Sequence, residues 1–162
     1  MSTRDPASER RVTVYAHFGD RKHLLEALLE RALQRVTSAL ASAGPDTGPA
    51  PRALERLIAA SWQQLARNDA IARAATELSP DAIRQAHDTG RAVYRALLDR
   101  GRHEGTFRTD LSPDWLLAGL QGLIHAAAEA VRTGELEPDH ALDALATSTH
   151  ELWVGSERRS GS

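Results

Sequence analysis

The chain has 162 residues, of which 41% are hydrophobic, and its net charge is −2. The length fits one ordinary globular domain or two small ones. The hydrophobic fraction and the low net charge exclude a largely disordered chain. Because it contains no cysteine, disulfides, thiolate metal sites and a cysteine nucleophile are excluded. The N-terminus is polar, and the most apolar segment, WLLAGLQGLIHAAAEAV, is too short and too polar to span a bilayer. We therefore expect a cytoplasmic protein with no membrane partner.

The first half of the chain has helical periodicity. Apolar residues recur every three or four positions between Leu25 and Leu40, which predicts a long helix whose N-cap is Asp20. The Gly- and Pro-rich segment 44–51 predicts a loop. A second apolar stripe begins at Leu54. We expect its helix to break near Asn68 and Asp69, with a short helix following.

The second half of the chain carries clearer start signals. Ser79-Pro80 and Ser112-Pro113 each place a capping serine before a proline at the first helical position, and Pro138 begins a last helix. Segments 104–111 and 133–137 are predicted loops, and 156–162 is a predicted disordered tail. Since no segment shows the alternation of a strand, we expect an all-α fold.

The last two predicted helices, 113–132 and 138–154, have unusually broad apolar arcs. Both arcs are rich in alanine and glycine, residues that allow helices to approach closely. This pattern predicts a homodimer joined by a symmetric four-helix interface. The alternative is a buried helical hairpin within a monomer.

One early segment, TVYAHFGDRKHLL, resembles the end of the helix-turn-helix domain of TetR-like transcriptional regulators. Thr13, Val14, Tyr15, His17 and Phe18 match the short recognition helix of that family, and Asp20, Arg21 and the pair Leu24-Leu25 match the cap, basic position and leucine pair that follow it. The rest of the chain, notably GTFRTDLSPDWLLAGLQGLIHAAAEAV, is similar in layout to the family's helical ligand-binding and dimerisation domain. The resemblance implies a partial helix-turn-helix at 1–37 and a helical bundle at 38–155.

The resemblance also implies a DNA-binding surface. A recognition helix presents small polar or basic residues to the bases, while hydroxyl, imidazole and basic groups near its end contact phosphates. The residues that this implies are Arg10, Arg11, Thr13, Tyr15, His17, Arg21 and Lys22. The alternative is an ordinary solvated face, and we interpret Phe18 as a packing residue.

The sequence departs from the family pattern before the recognition helix. The family has two further helices there and a turn containing glycine, whereas this chain has MSTRDPASE and the residues Ala7-Ser8-Glu9-Arg10. We expect a truncated helix-turn-helix that binds DNA weakly and without sequence preference. Three explanations are open: a mis-called start, a relative that keeps only ligand binding and dimerisation, or a second protein that supplies the missing packing. We also expect an exposed apolar patch of Val14, Tyr15, Phe18, Leu24 and Leu28.

Other chemistry is sparse in the sequence. No nucleophile elbow, phosphate loop or dinucleotide fingerprint occurs, so we expect no catalytic residues and no cofactor. His125 and Glu129 lie four residues apart, but no metal-site spacing accompanies them, so we expect no metal.

A small-molecule pocket between helices is the more plausible site, because such pockets are apolar with a few polar groups. The candidates are Trp62, Gln63, Tyr94, Gln121 and His125, although each alone is also consistent with core or rim packing. The leading hypothesis is therefore a dimeric one-component regulator, a repressor by family analogy, that binds a small-molecule effector. The alternative is a helical dimerisation or ligand-binding module without DNA-binding activity.

Overall fold

The computed structural model describes the backbone of residues 6–75 and 80–155, and the side chains of residue 21 and of residues 23–67 and 88–155. Within these ranges the chain forms five helices and no strand: α1 Pro6–Ser42, α2 Ala50–Ala75, α3 Pro80–His103, α4 Pro113–Arg132 and α5 Pro138–Val154. The predicted all-α fold is confirmed. The predicted tail 156–162 lies outside the described residues.

Two predicted interruptions are wrong. Helix α1 continues through Asp20, and helix α2 continues through Asn68 and Asp69. A capping residue marks the boundary of a helix only when its own backbone leaves helical geometry. Near Asp20 the one strong opposing signal is Gly19, and a single glycine costs a helix only about 1 kcal/mol. The penalties of asparagine and aspartate are smaller still, so in both places the longer helix prevails.

The start signals at Pro113 and Pro138 are confirmed. Pro113 is the first residue of α4, and the hydroxyl of Ser112 accepts a hydrogen bond from the backbone N–H of Trp115 at 3.2 Å. Pro138 is the first residue of α5 and Pro80 the first of α3. Ser79, the predicted cap of α3, lies outside the described residues.

A single core joins the helices. Helix α2 packs against α1, α3 and α5, and α4 packs against α5. The most deeply buried large side chains come from all five helices: Leu40, Leu54, Leu57, Ile58, Leu97, Leu98, Leu116 and Trp153. The indole N–H of Trp153 donates to the carbonyl of Leu116 at 3.3 Å, which satisfies the one polar group of this buried ring.

Two arginines fix the loop between α1 and α2, residues 43–49. Arg56 donates to the carbonyls of Ala43, Gly44 and Thr47, each at 2.7 Å. Arg100 donates to the carbonyls of Pro45 and Gly48, each at 2.9 Å. A guanidinium presents several donors in one fixed plane, so each arginine satisfies several loop carbonyls at once. We call this region the clamped end of the bundle.

The loop after α3 is packed onto the same end. The ring of Phe107 lies on Gly101, where an added Cβ would be 2.1 Å from the Phe107 Cδ2 atom. The Phe107 ring also meets Trp153 edge to face, with centroids 5.4 Å apart. Only glycine at position 101 leaves room for this ring.

Helices α4 and α5 approach each other closely at Gly119. A Cβ added there would be 2.7 Å from the Leu152 Cδ2 atom, whereas a Cβ at Gly122 would meet nothing within 4 Å. The expectation that small residues permit close helix contact is confirmed for Gly119. Gly122, three residues further along α4, is exposed and faces away from the other described helices.

None of the described helices is both long enough and apolar enough to cross a membrane.

Candidate functional site

A partly open cavity of about 290 Å³ lies between the first four helices. Its apolar wall is formed by α1, α2 and α4, through Leu29, Ala32, Leu33, Val36, Leu40, Leu65, Leu117, Leu120 and Ile124. The remaining lining residues are polar or lack a side chain: Ser61, Gln64, Gly90, Arg91, Tyr94, Gln121 and His125. An apolar chamber with a few convergent polar groups is the usual form of a small-molecule site.

The long helix α1 supplies one whole wall. Its lining residues from Leu29 to Leu40 repeat at intervals of three and four, which places them on one face of the helix. At the inner end Leu40 is fully buried, whereas Leu29 and Leu33 are only partly covered. The apolar stripe predicted from the sequence thus serves both the core and the cavity.

Tyr94 and Ser61 form the polar centre of the cavity. The side chain of Tyr94 is only 5% exposed, and its hydroxyl lies 2.8 Å from the Ser61 hydroxyl across the gap between α3 and α2. Burial raises the pKa of the Tyr94 phenol well above its ordinary value, an effect that the hydrogen bond to Ser61 only partly offsets. Tyr94 therefore keeps its proton.

The rim of the cavity carries an ion-pair cluster. Arg91 and Arg95 both donate to the Oδ1 atom of Asp114, at 3.0 and 3.1 Å. Hydrogen bonds from Arg95 and then Arg91 lower the pKa of the Asp114 carboxyl. All three side chains are substantially exposed, so the cluster contributes little to stability. It ties the middle of α3 to the first turn of α4 beside the cavity mouth.

The structure brings together three of the five ligand-site residues predicted from the sequence. Tyr94, Gln121 and His125 all line the cavity. Trp62 is instead part of the buried core, and Gln63 is exposed and does not line the cavity. No bound molecule tests the prediction, so a ligand role for these residues stays a prediction.

Helical register explains the two residues that lie elsewhere. Successive helical residues point about 100° apart, so a lining face on α2 takes positions three and four apart. Ser61, Gln64 and Leu65 have this spacing and line the cavity. Sequence reasoning missed Ser61, Gln64 and Arg91. Ser61 and Gln64 follow Leu57 of the apolar face at helical spacing, so the sequence could have identified these two as lining residues.

The predicted DNA-binding residues lie on the N-terminal part of α1. The side chains of Arg10, Arg11, Thr13, Tyr15, His17 and Lys22 are outside the described ones, whereas Arg21 is described and exposed. Of the predicted apolar patch, Leu24 and Leu28 are described, and their exposed fractions are 61% and 37%. The exposure of these two leucines is confirmed. The DNA contacts stay predictions.

Comparison with known proteins gives matches in three dimensions. No protein-family model and no curated protein matches the sequence. Among solved structures, the TetR-family regulator PfmR from Thermus thermophilus has a TM-score of 0.66 and 21% identity, covering 91% of this chain and 82% of its own. The TetR-like regulator LfrR from Mycobacterium smegmatis, in complex with proflavine, has a TM-score of 0.62 and 22% identity, covering 91% of this chain and 78% of its own. The fold is TetR-like.

A third solved structure is also similar to this chain. A protein of unknown function from a Rhodococcus species has a TM-score of 0.70 and 16% identity, covering 83% of this chain and 73% of its own. The resemblance read from TVYAHFGDRKHLL therefore extends, at the level of the TetR-like fold, over nearly the whole chain.

One face of this TetR-like bundle is not covered by any other described part of the chain. On α4 an exposed stripe runs through Trp115, Ala118, Gly122 and Ala126 at intervals of three and four residues. The Trp115 side chain is 63% exposed, which is unusual for a residue of its size and apolarity. On α5 the small residue Ala144 is also exposed.

Proposed function

We propose that the chain is a TetR-like one-component transcriptional regulator, acting as a cytoplasmic repressor, that dimerises and binds a small-molecule effector. Residues 1–37 form its DNA-facing part and residues 38–155 its effector and dimer domain, with the boundary inside α1, whose stretch from Leu29 onwards also contributes a wall to the effector cavity. Its role is not enzymatic, because the structural neighbours of known function are regulators.

The cavity is the observation that carries the proposal. It is mainly apolar, has a polar centre at Tyr94 and Ser61, and is walled by the same helix α1 that continues towards the predicted DNA-binding residues. A molecule that contacts this wall differently in two positions of α1 shifts the equilibrium between them. LfrR was solved with a small molecule, proflavine, and we extend the capacity to bind a small molecule to this chain.

Dimerisation through 113–132 and 138–154 is supported by the exposed stripe on α4. Its small residues permit close packing against a second copy, and Trp115 supplies apolar area. The Ala118→Arg variant should therefore be monomeric by light scattering, because a charge would be buried at the contact. Ala92→Arg is the matched control, since Ala92 is an exposed alanine on α3 outside this face. A monomeric parent protein would contradict the proposal.

The DNA-binding part of the proposal is tested by titration. The protein is mixed with labelled DNA from upstream of its own gene, at two salt concentrations, with unrelated DNA as competitor. A regulator that contacts several phosphates loses affinity steeply with salt, by a factor on the order of 10³ between low and moderate ionic strength. His17→Ala should lower affinity on every sequence, whereas Thr13→Ala should change preference among sequences.

A second candidate function is a dimeric ligand-binding module that does not bind DNA. The observation in its favour is the uninterrupted course of α1 through Asp20, where the resemblance to the TetR-like family predicted the end of the recognition helix and the cap of a new helix. Equal, weak binding to all DNA sequences in the titration would favour this module and agree with the weak binding expected from the sequence. Binding that survives the competitor would favour the regulator.

A further inference from the structure

We infer that the cavity selects a small, mainly apolar molecule that carries a hydrogen-bond-accepting oxygen, such as a ketone or a carboxylate, and discriminates against amines. The inference rests on the proposed effector binding and adds the chemical class of the effector. It follows from three features of the cavity: a spare hydroxyl proton, the charges on its wall, and its volume.

The spare proton belongs to the pair formed by Tyr94 and Ser61. Each hydroxyl has one proton to donate, and the single hydrogen bond between the two oxygens uses only one of them. When Ser61 is the donor, the proton of Tyr94 is left without an acceptor at a site where the Tyr94 side chain is only 5% exposed. A buried donor without an acceptor is costly. An oxygen acceptor on a ligand removes that cost, whereas an ammonium group has only donors and does not.

The charges on the wall act in the same direction. Among the lining residues that the structure describes there is no aspartate or glutamate, and the one permanently charged group is the guanidinium of Arg91. Asp114 lies beside Arg91 but is held by two arginines at the exposed rim. A cation inside the cavity would lose hydration without gaining a carboxylate partner among these described residues.

The volume sets the size of the molecule. At about 290 Å³ the cavity is near the lower end of the roughly 300 to 1,000 Å³ that is typical of small-molecule sites. It therefore takes a small molecule, or the end of a longer molecule that protrudes through the open side. The leucine-rich wall accommodates a compact hydrocarbon body next to the hydroxyl pair.

Four probes that share a phenylalkyl body separate these features. Butylbenzene has no polar group, benzylacetone has a ketone, phenylbutyrate a carboxylate and phenylbutylamine an ammonium. Titration calorimetry on the 162-residue protein should give benzylacetone or phenylbutyrate an affinity about five- to tenfold above that of butylbenzene, which corresponds to about one neutral hydrogen bond. The amine should bind more weakly than butylbenzene. Comparing ketone with carboxylate shows which acceptor is preferred.

Two variants at the hydroxyl pair should have different effects. Tyr94→Phe removes the buried phenol, and the remaining Ser61 hydroxyl can donate to a backbone carbonyl of its own helix. The advantage of the ketone over butylbenzene should then fall to within about twofold, because the neutral hydrogen bond is lost. Ser61→Ala leaves the Tyr94 proton free for the ligand, so the advantage should remain. A merely structural role of the pair would change the affinities of all probes in both variants alike.

A third variant locates the binding. Gly90 lines the cavity and an added Cβ meets nothing within 4 Å, so Gly90→Leu should abolish binding of every probe while the protein stays folded. Binding that survives Gly90→Leu, an amine that binds as tightly as the ketone, a ketone advantage that Tyr94→Phe leaves intact, or no binding of any probe would overturn the inference. Dimerisation and DNA binding are measured on the unliganded protein, so failure of the inference is distinguishable from failure of those parts of the proposed function.

Discussion

The two glycines Gly90 and Gly101 lie on one helix, α3, but Gly101 is tightly packed and Gly90 faces open space. At Gly101, in the clamped end, an added Cβ would be 2.1 Å from the Phe107 ring. At Gly90, beside the cavity, it would meet nothing within 4 Å. The same residue type in the same helix is thus required at one position and dispensable at the other. The difference arises from the neighbours, because the helical backbone is the same.

The contrast extends to the surroundings of each glycine. The clamped end is filled by Phe107 and Trp153, and the loop 43–49 is held through its carbonyls by Arg56 and Arg100. The cavity end keeps unfilled volume next to a buried hydroxyl pair. Close packing stabilises a fold, whereas unfilled volume costs stability unless a ligand occupies it. We therefore expect substitutions to act on stability at the first end and on binding at the second.

The largest expected effect comes from the Gly101→Ala variant. The Cβ displaces the Phe107 ring from its contact with Trp153, so the free energy of unfolding should fall by about 3 kcal/mol. Urea unfolding measures this change. The matched variant Gly90→Ala should instead raise the free energy of unfolding by about 1 kcal/mol, the helix propensity gain of alanine over glycine. Shifts of equal sign and size would show that the two ends do not differ as described.

The next largest effect is expected at the arginines. Arg100→Lys keeps the positive charge but cannot donate to the carbonyls of Pro45 and Gly48 in the same plane. The free energy of unfolding should fall by about 1 to 2 kcal/mol, again by urea titration. Arg95→Lys, at the exposed cavity rim, is the control and should leave stability almost unchanged. If Arg95→Lys lowered the free energy of unfolding more than Arg100→Lys, the arginines of the clamped end would not be the stronger restraint on the bundle.

The smallest expected effect is the pH dependence of the rim. Because the pKa of Asp114 is lowered by Arg95 and Arg91, its contribution to stability is present above the ordinary aspartate value of about 3.9 and is lost as the pH falls through the lowered value. The Asp114→Asn variant should melt about one degree below the parent protein at neutral pH. That gap should close in strong acid. A gap that widens in acid would contradict this sign.

Local signals in the sequence were sufficient for part of this structure. The starts of α4 and α5 depend on Pro113 and Pro138, where a proline fits only the first helical turn. The breaks predicted at Asp20 and at Asn68 failed because a weak local preference competes with the cooperative extension of a helix. The sequence thus predicted the class and layout of the fold better than the ends of its first two helices.

The candidate site was less predictable, because it depends on contacts between distant segments. Tyr94, Gln121 and His125 were recognisable as polar residues beside apolar helix faces, and they line the cavity. Ser61 becomes a candidate only once its hydroxyl is seen 2.8 Å from that of Tyr94, thirty-three residues further along the chain. The position of Gln64 rather than Gln63 in the wall depends on the rotation of α2, which the apolar stripe alone did not fix.

Because α1 is long and unbroken, a small tilt at the cavity displaces its far end by a larger distance. Its 37 residues span about 55 Å at 1.5 Å per residue. The stretch that lines the cavity begins at Leu29, so the Pro6 end projects about 35 Å beyond it. With that arm, a tilt of about 5° at the cavity displaces the far end by about 3 Å. Under the proposed effector binding, a molecule as small as a single ring in contact with Leu29 or Leu33 would act near one end of α1, and the displacement would be largest at the other end.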